Sequence, residues 1–136
     1  MNSKSFRFRR KRIPLGTEDT HQVALFEWIN QVGVRRWPEL EHAYHIPNGG
    51  WRHYTTGVRL KMMGAKAGMM DVVLPFGRHG FMHAYIELKS EVGRTTVEQA
   101  RKIEALVKLG NFATVCHGWV EARETIEWYC NGKPTE

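Results

Sequence analysis

At 136 residues, with 20 Lys and Arg against 14 Asp and Glu and a net charge of +6, the chain has the length of a single domain with a buried core. No apolar run is long enough to cross a bilayer, and no apolar stretch follows the basic N-terminus, so a soluble, cytoplasmic protein with no membrane partner is expected. Cys116 and Cys130 lack any C-x-x-C or Cys/His spacing, which argues against a zinc site or a disulfide framework and for two buried thiols.

The charge is unevenly placed. Lys4, Arg7, Arg9, Arg10, Lys11 and Arg12 all precede the first acid, Glu18, and the remainder of the chain is electrically balanced. Residues 1–16 therefore read as a basic flexible arm, with Phe6 and Phe8 interleaved as suits phosphate contacts plus stacking, ahead of a domain over 17–136. A solubilising tail is the alternative. Thr17 can cap a helix that opens with Glu18 and Asp19 and continues to about Val32, before Gly33. At roughly 100° per residue, Leu25, Trp28, Ile29 and Val32 form its apolar stripe, with Glu18 and Gln22 inside it and Glu27 opposite. Ala43 to Ile46 reads as a short strand that stops at the turn Pro47-Asn48-Gly49-Gly50. From His42 to Met70 there is no acid, while Arg52, Arg59, Lys61 and Lys66 are present, and a helical turn from Thr55 to Met63 ends at Gly64. A basic surface of this kind favours an anionic substrate.

Val72 to Phe76 then reads as a strand, Gly77-Arg78-His79-Gly80 as its turn and Phe81 to Lys89 as a returning strand. Pairing across a turn centred between Arg78 and His79 sets Asp71 opposite Glu87 or one place off it. Lys89 shares the face of Glu87, while Ile86 and Leu88 supply the apolar face. Two carboxylates and an ammonium converge at a sheet that reads as covered on both sides, where charges need a reason. Carboxylates are the ligands a hard cation prefers, and a neighbouring Lys stabilises charge on a phosphate, so the set suits metal-dependent phosphodiester hydrolysis. Glu-x-Lys alone is also an ordinary solvated strand face.

Beyond a polar loop, Thr95-Thr96-Val97-Glu98 is a capping-box signature, with Thr96 and Gln99 as the alternative register. The helix runs to Leu109 with Ala100, Ile103, Leu106 and Val107 on its buried face, and Gln99 points inward from the first turn near Lys89. Phe112 to Cys116 is a buried strand parallel to the Ile86 strand, and Glu121 to Tyr129 a final helix with Ile126 and either Trp128 or Tyr129 inward. His42 with His45, or His79 with His83, are rival ligands, but neither pair has a third partner at metal spacing.

These pieces, in this order, resemble the VRR-NUC family of the PD-(D/E)xK nuclease superfamily. The resemblance spans about 18 to 129 and is carried by Glu18-x-x-x-Gln22, Pro47-Asn48-Gly49-Gly50, Leu60 to Gly68 leading to Asp71, Glu87-Leu88-Lys89, Gly93 and Gln99. It implies an α/β, restriction-endonuclease-like αβββαβ core with a central mixed sheet flanked by helices. It also implies Mg²⁺- or Mn²⁺-dependent DNA cleavage with Asp71, Glu87 and the Leu88 carbonyl on the metal and Lys89 at the water or scissile phosphate. Gln99 would orient the site, Glu18 would complete its acidic cluster, and Asn48, Arg52, Arg59, Lys61 and Lys66 would contact DNA. Met70 stands where the family usually has Pro, a change that bears on local backbone and not on the ligand set. Small stand-alone members resemble viral or bacterial homodimers that cut branched DNA, which implies a Holliday-junction-resolvase-like homodimer in a bacterial or phage-infected cell. A less selective nickase and a non-catalytic DNA-binding subunit are the competing functions. The Met-rich stretches at Met62-Met63 and Met69-Met70 and the five tryptophans are candidate interface material.

Overall fold

A computed structural model describes residues 17–47 and 54–136. Helix α1 (Thr17–Trp28) passes through one π-helical segment (Ile29–Gly33) into the short α2 (Val34–Arg36), and a 3-10 turn (Pro38–His42) leads to β1 (Tyr44–His45). Helix α3 (Tyr54–Met62) precedes β2 (Val72–Leu74) and β3 (Ala84–Lys89), and α4 (Val97–Lys108), β4 (Phe112–His117) and α5 (Trp119–Cys130) complete the chain. The four strands form one mixed sheet in the order β1-β2-β3-β4, antiparallel from β1 to β3 and parallel between β3 and β4. The expected α/β architecture of a mixed sheet flanked by helices is what the molecule has.

Helices α1 and α5 pack together over the sheet, so Leu25 and Ile29 meet Ile86, Leu88, Ala122, Ile126 and Tyr129 in one fully buried cluster. Each such aliphatic side chain contributes about 1.5–3 kcal/mol by leaving water. Tyr129, not Trp128, is the inward aromatic of α5, and Trp128 is half exposed. Trp28, Trp37 and Trp119 pack against the core, and Met70 is fully buried. Of the candidate interface residues this leaves Met62, Met63 and Trp128 open to solvent, while Trp51 lies outside the described residues.

Four local expectations are corrected. Val32 is exposed because the π segment inserts an extra residue per turn, so the position that follows Ile29 into the core is Gly33. A Cβ on Gly33 would stand 2.9 Å from a Leu40 methyl, so a larger residue there would make the Leu40 side chain shift where the 3-10 turn closes on the helix. The hairpin strands are shorter than the apolar pattern suggests. Pro75 cannot extend the β2 ladder, and Tyr129 holds the connection by donating to the Phe76 carbonyl and accepting from the Arg78 amide. Arg78 also forms a bridge with Pro134 near the C-terminus, which completes the detour. Helix α4 has no buried residue. Ala100 and Val107 are exposed and Ile103 and Leu106 only half-buried, because the helix lies against the edge strand β4 instead of the sheet centre. Strand β4 is accordingly half-buried from Phe112 to Val115, with Cys116 buried and His117 exposed. Both cysteines are free and buried, as expected.

Candidate functional site

The β2/β3 register pairs Val72 with Ile86, which places Asp71 opposite Glu87 just beyond the ladder. Because alternate residues of β3 face opposite ways, Ile86 and Leu88 enter the α1/α5 core while Glu87 and Lys89 turn toward the first turn of α4. Asp71 is held by its backbone and its side chain together. Its carbonyl accepts from the Ile46 amide at 2.9 Å and from His45 Nδ1 at 2.8 Å, and its Oδ2 accepts from the Leu88 amide at 2.8 Å. A carbonyl can only accept, so His45 carries its proton on Nδ1. Neither His42 with His45 nor His79 with His83 belongs to a group of three or more metal-ligating side chains among the described residues.

Glu87 and Lys89 are both more than nine-tenths buried. Gln99 Nε2 donates to Glu87 Oε1 at 2.7 Å, and Lys89 Nζ stands 3.6 Å from the same oxygen. Glu87 Oε2 is buried with no hydrogen-bond partner. Burial and then the neighbouring charge of Asp71 push the Glu87 carboxyl from 4.5 up to about 7, against the pull of Lys89. Burial likewise raises the Asp71 carboxyl, with the Leu88 amide bond and His45 opposing and the charge of Glu18 adding to the rise. A Cβ on Gly93 would press to 3.2 Å on both the Lys89 and Ser90 side chains, so glycine there leaves Lys89 its place beside Glu87.

Together Glu18, Gln22, His45, Asp71, Glu87, Leu88, Lys89 and Gln99 line one cleft of about 430 Å³. Glu18 is exposed at its rim, and Asp19, read in the sequence only as a dipole partner, lines it too. Gln22 Nε2 is buried without a hydrogen-bond partner. The cleft therefore gathers all five expected catalytic residues and the Leu88 position. Asn48 and Arg52 lie outside the described residues. Lys61 and Lys66 line an adjacent groove of about 620 Å³ that shares Pro47 with the cleft, whereas Arg59 is exposed on α3 and does not line it.

Among the described residues no group of three or more His, Cys, Asp or Glu side chains is arranged as a complete metal cage. Mg²⁺ does not require one, since it keeps several waters and binds through one or two carboxylates. The donor set fits it. Glu87 offers an unpartnered buried oxygen, two carboxylates repel each other across the strand pair, and a divalent cation relieves both the orphaned atom and the repulsion. Asp71 and Glu87 are the side chains that can hold the ion.

The family model of the VRR-NUC domain matches residues 16–119. A solved structure, "VRR_NUC domain protein", superposes with a TM-score of 0.75 over 91% of this chain and 96% of that one, at 25% identity. No curated protein matches.

Proposed function

The chain belongs to the VRR-NUC family, a nuclease-type family acting on DNA, and from that premise we propose that it is a Mg²⁺- or Mn²⁺-dependent, structure-specific DNA endonuclease, working as a resolvase-like homodimer on four-way junctions. The observation that carries the reading is the buried Glu87 carboxylate, set opposite Asp71 and beside Lys89, with one oxygen left without a partner. When bound, the ion supplies a polarised phosphate and an acidified water. Asp71 and Glu87 fix its position, and Lys89 places positive charge where the phosphate accumulates negative charge. The Leu88 amide holds the Asp71 carboxylate, and His45 holds its backbone carbonyl. Lys61 and Lys66 provide a basic approach for the strand next to the cleft, with Arg59, Arg52 and Asn48 as further DNA contacts. No described helix is long and apolar enough to cross a membrane.

Incubating the protein with four-way, flap and linear duplex DNA, with and without Mg²⁺ or Mn²⁺, tests the proposal. Ion-dependent paired cuts on the four-way substrate, with a dimer by light scattering, are the expected result. Equal cutting of duplex by a monomer would leave a nickase, and binding without cutting under any ion would leave a DNA-binding subunit.

Residues 1–16, the expected basic arm, lie outside the described residues; in the same reading their positive charges add phosphate contacts to the nuclease domain over 17–136. Deleting residues 1–12 removes six positive charges, so DNA affinity is expected to fall and log affinity to depend less steeply on log salt. Circular dichroism should show the same fold. An unchanged salt slope would make the arm a bystander.

A further inference from the structure

The two oxygens of Glu87 are not equivalent, and the difference originates at the start of α4. Thr96 and Gln99 form a reciprocal capping box. Thr96 Oγ1 accepts from the Gln99 amide at 3.2 Å, and Gln99 Oε1 accepts from the Thr96 amide at 3.0 Å. With its oxygen engaged by a backbone N–H, the Gln99 side chain has only its NH₂ end left for Glu87, at 2.7 Å from Oε1. A flipped amide would set oxygen against oxygen at Glu87 and N–H against N–H at Thr96, so the network permits one orientation. Oε1 of Glu87 is thereby committed to Gln99 and Lys89, and Oε2 remains buried and without a partner.

We propose that Thr96 is a positioning residue for the candidate metal centre: through the capping box it fixes the Gln99 amide, which commits Glu87 Oε1 to hydrogen bonding and leaves Oε2 as the oxygen that takes the cation. The inference rests on the reading of Asp71 and Glu87 as metal ligands. Thr96 is exposed and remote in role from any reacting atom, so it acts only through Gln99. The logic is that of outer-shell partners elsewhere, which orient a ligand and so tune its affinity for the metal. It also explains which of two overlapping signatures is used. Thr95 with Glu98 has the same spacing, but only the Thr96 register brings a side-chain amide to Glu87.

Calorimetric titration of the whole chain with Mn²⁺, below the melting temperature of each variant, tests this. Thr96→Ala is expected to weaken Mn²⁺ binding by on the order of tenfold, while Thr96→Ser, which keeps the accepting hydroxyl, stays within about twofold of wild type. Cleavage by Thr96→Ala should then recover at saturating Mn²⁺, so that the defect reads as metal affinity and not as lost chemistry. Ala105→Gly is the control, since it loosens the exposed middle of α4 without touching the cap. If Ala105→Gly weakens Mn²⁺ as much as Thr96→Ala does, or if Thr96→Ala binds Mn²⁺ as wild type does, the positioning role is overturned and the metal site stands. Absence of Mn²⁺ binding by the wild type would overturn both.

Discussion

Glu87→Gln is expected to abolish cleavage, by about 10³-fold or more, and at the same time to remove a large part of the protein's loss of stability between pH 5 and pH 8. The first effect follows from exchanging an anionic ligand for a neutral amide. The second follows from the carboxyl being pushed from 4.5 up to about 7 in the fold. A folded-state value above the unfolded one means that the protonated acid is the form the fold accommodates. Its stabilising contribution is complete below about 4.5 and is lost as the pH rises through 7. For a carboxyl this deeply buried the loss is on the order of 2 kcal/mol, or several degrees in melting temperature. Asp71, raised for the same first reason, adds a loss of the same sign. In Glu87→Gln the steeper part of that decline should be gone. The absolute stability of the variant also reflects Lys89, which loses its carboxylate partner, so the slope against pH is the quantity to compare. Melting curves in chelator at four pH values measure it, and a parallel decline in both proteins would refute the assignment of the strain to Glu87. Mn²⁺ should restore wild-type stability at pH 8 and do little for the variant, because binding to the native state alone shifts the equilibrium.

The approach of Asp71 to Glu87 was legible in the sequence to within one position, because the fold-back brings the two strands together and the alternation of Ile86 and Leu88 with Glu87 and Lys89 sets the face the charges take. The exact pairing follows from the observed Val72–Ile86 register. The lengths of the two strands were not legible, since the detour from Pro75 to His83 is stabilised by Tyr129 and by a bridge to Pro134, residues about fifty positions away. Val32 falls on the apolar stripe of a 3.6-residue period, but the π segment changes that period, and no single residue announces one. The inward face read into α4 failed for another reason. A 3.6-residue pattern says which side of a helix is apolar but not how much protein stands opposite it, and α4 packs chiefly on the edge strand β4, reaching β3 through Gln99. The bond from His45 to the Asp71 carbonyl joins residues 26 positions apart, a contact that spacing alone does not reveal. Thr95-Glu98 and Thr96-Gln99 were equally good caps on local grounds. The tertiary bond from Gln99 to Glu87 breaks the tie, as consistency across levels requires.

Lys89→Met separates binding of the ion from use of it. The ammonium stands 3.6 Å from Glu87 Oε1 and is more than nine-tenths buried, so in the absence of an ion it is the cation that makes the carboxylate tolerable. A divalent ion entering the same cleft meets that positive charge as a repulsion. Methionine keeps most of the aliphatic volume that packs beside Gly93 and removes the charge. Mn²⁺ affinity of Lys89→Met is therefore expected to equal or exceed that of wild type. Cleavage is expected to fall by about 10²–10³-fold, because the charge that offsets the phosphate in the transition state is gone. Without an ion the variant should be less stable above pH 7 than wild type, since Glu87 has lost the interaction that lowers its carboxyl. Saturating Mn²⁺ should return most of that stability and none of the cleavage. Three outcomes would each point elsewhere. Weaker Mn²⁺ binding would make Lys89 a support of the ligand set, cleavage within a few-fold of wild type would remove it from the chemistry, and stability independent of Mn²⁺ would mean that the folded variant does not hold the ion.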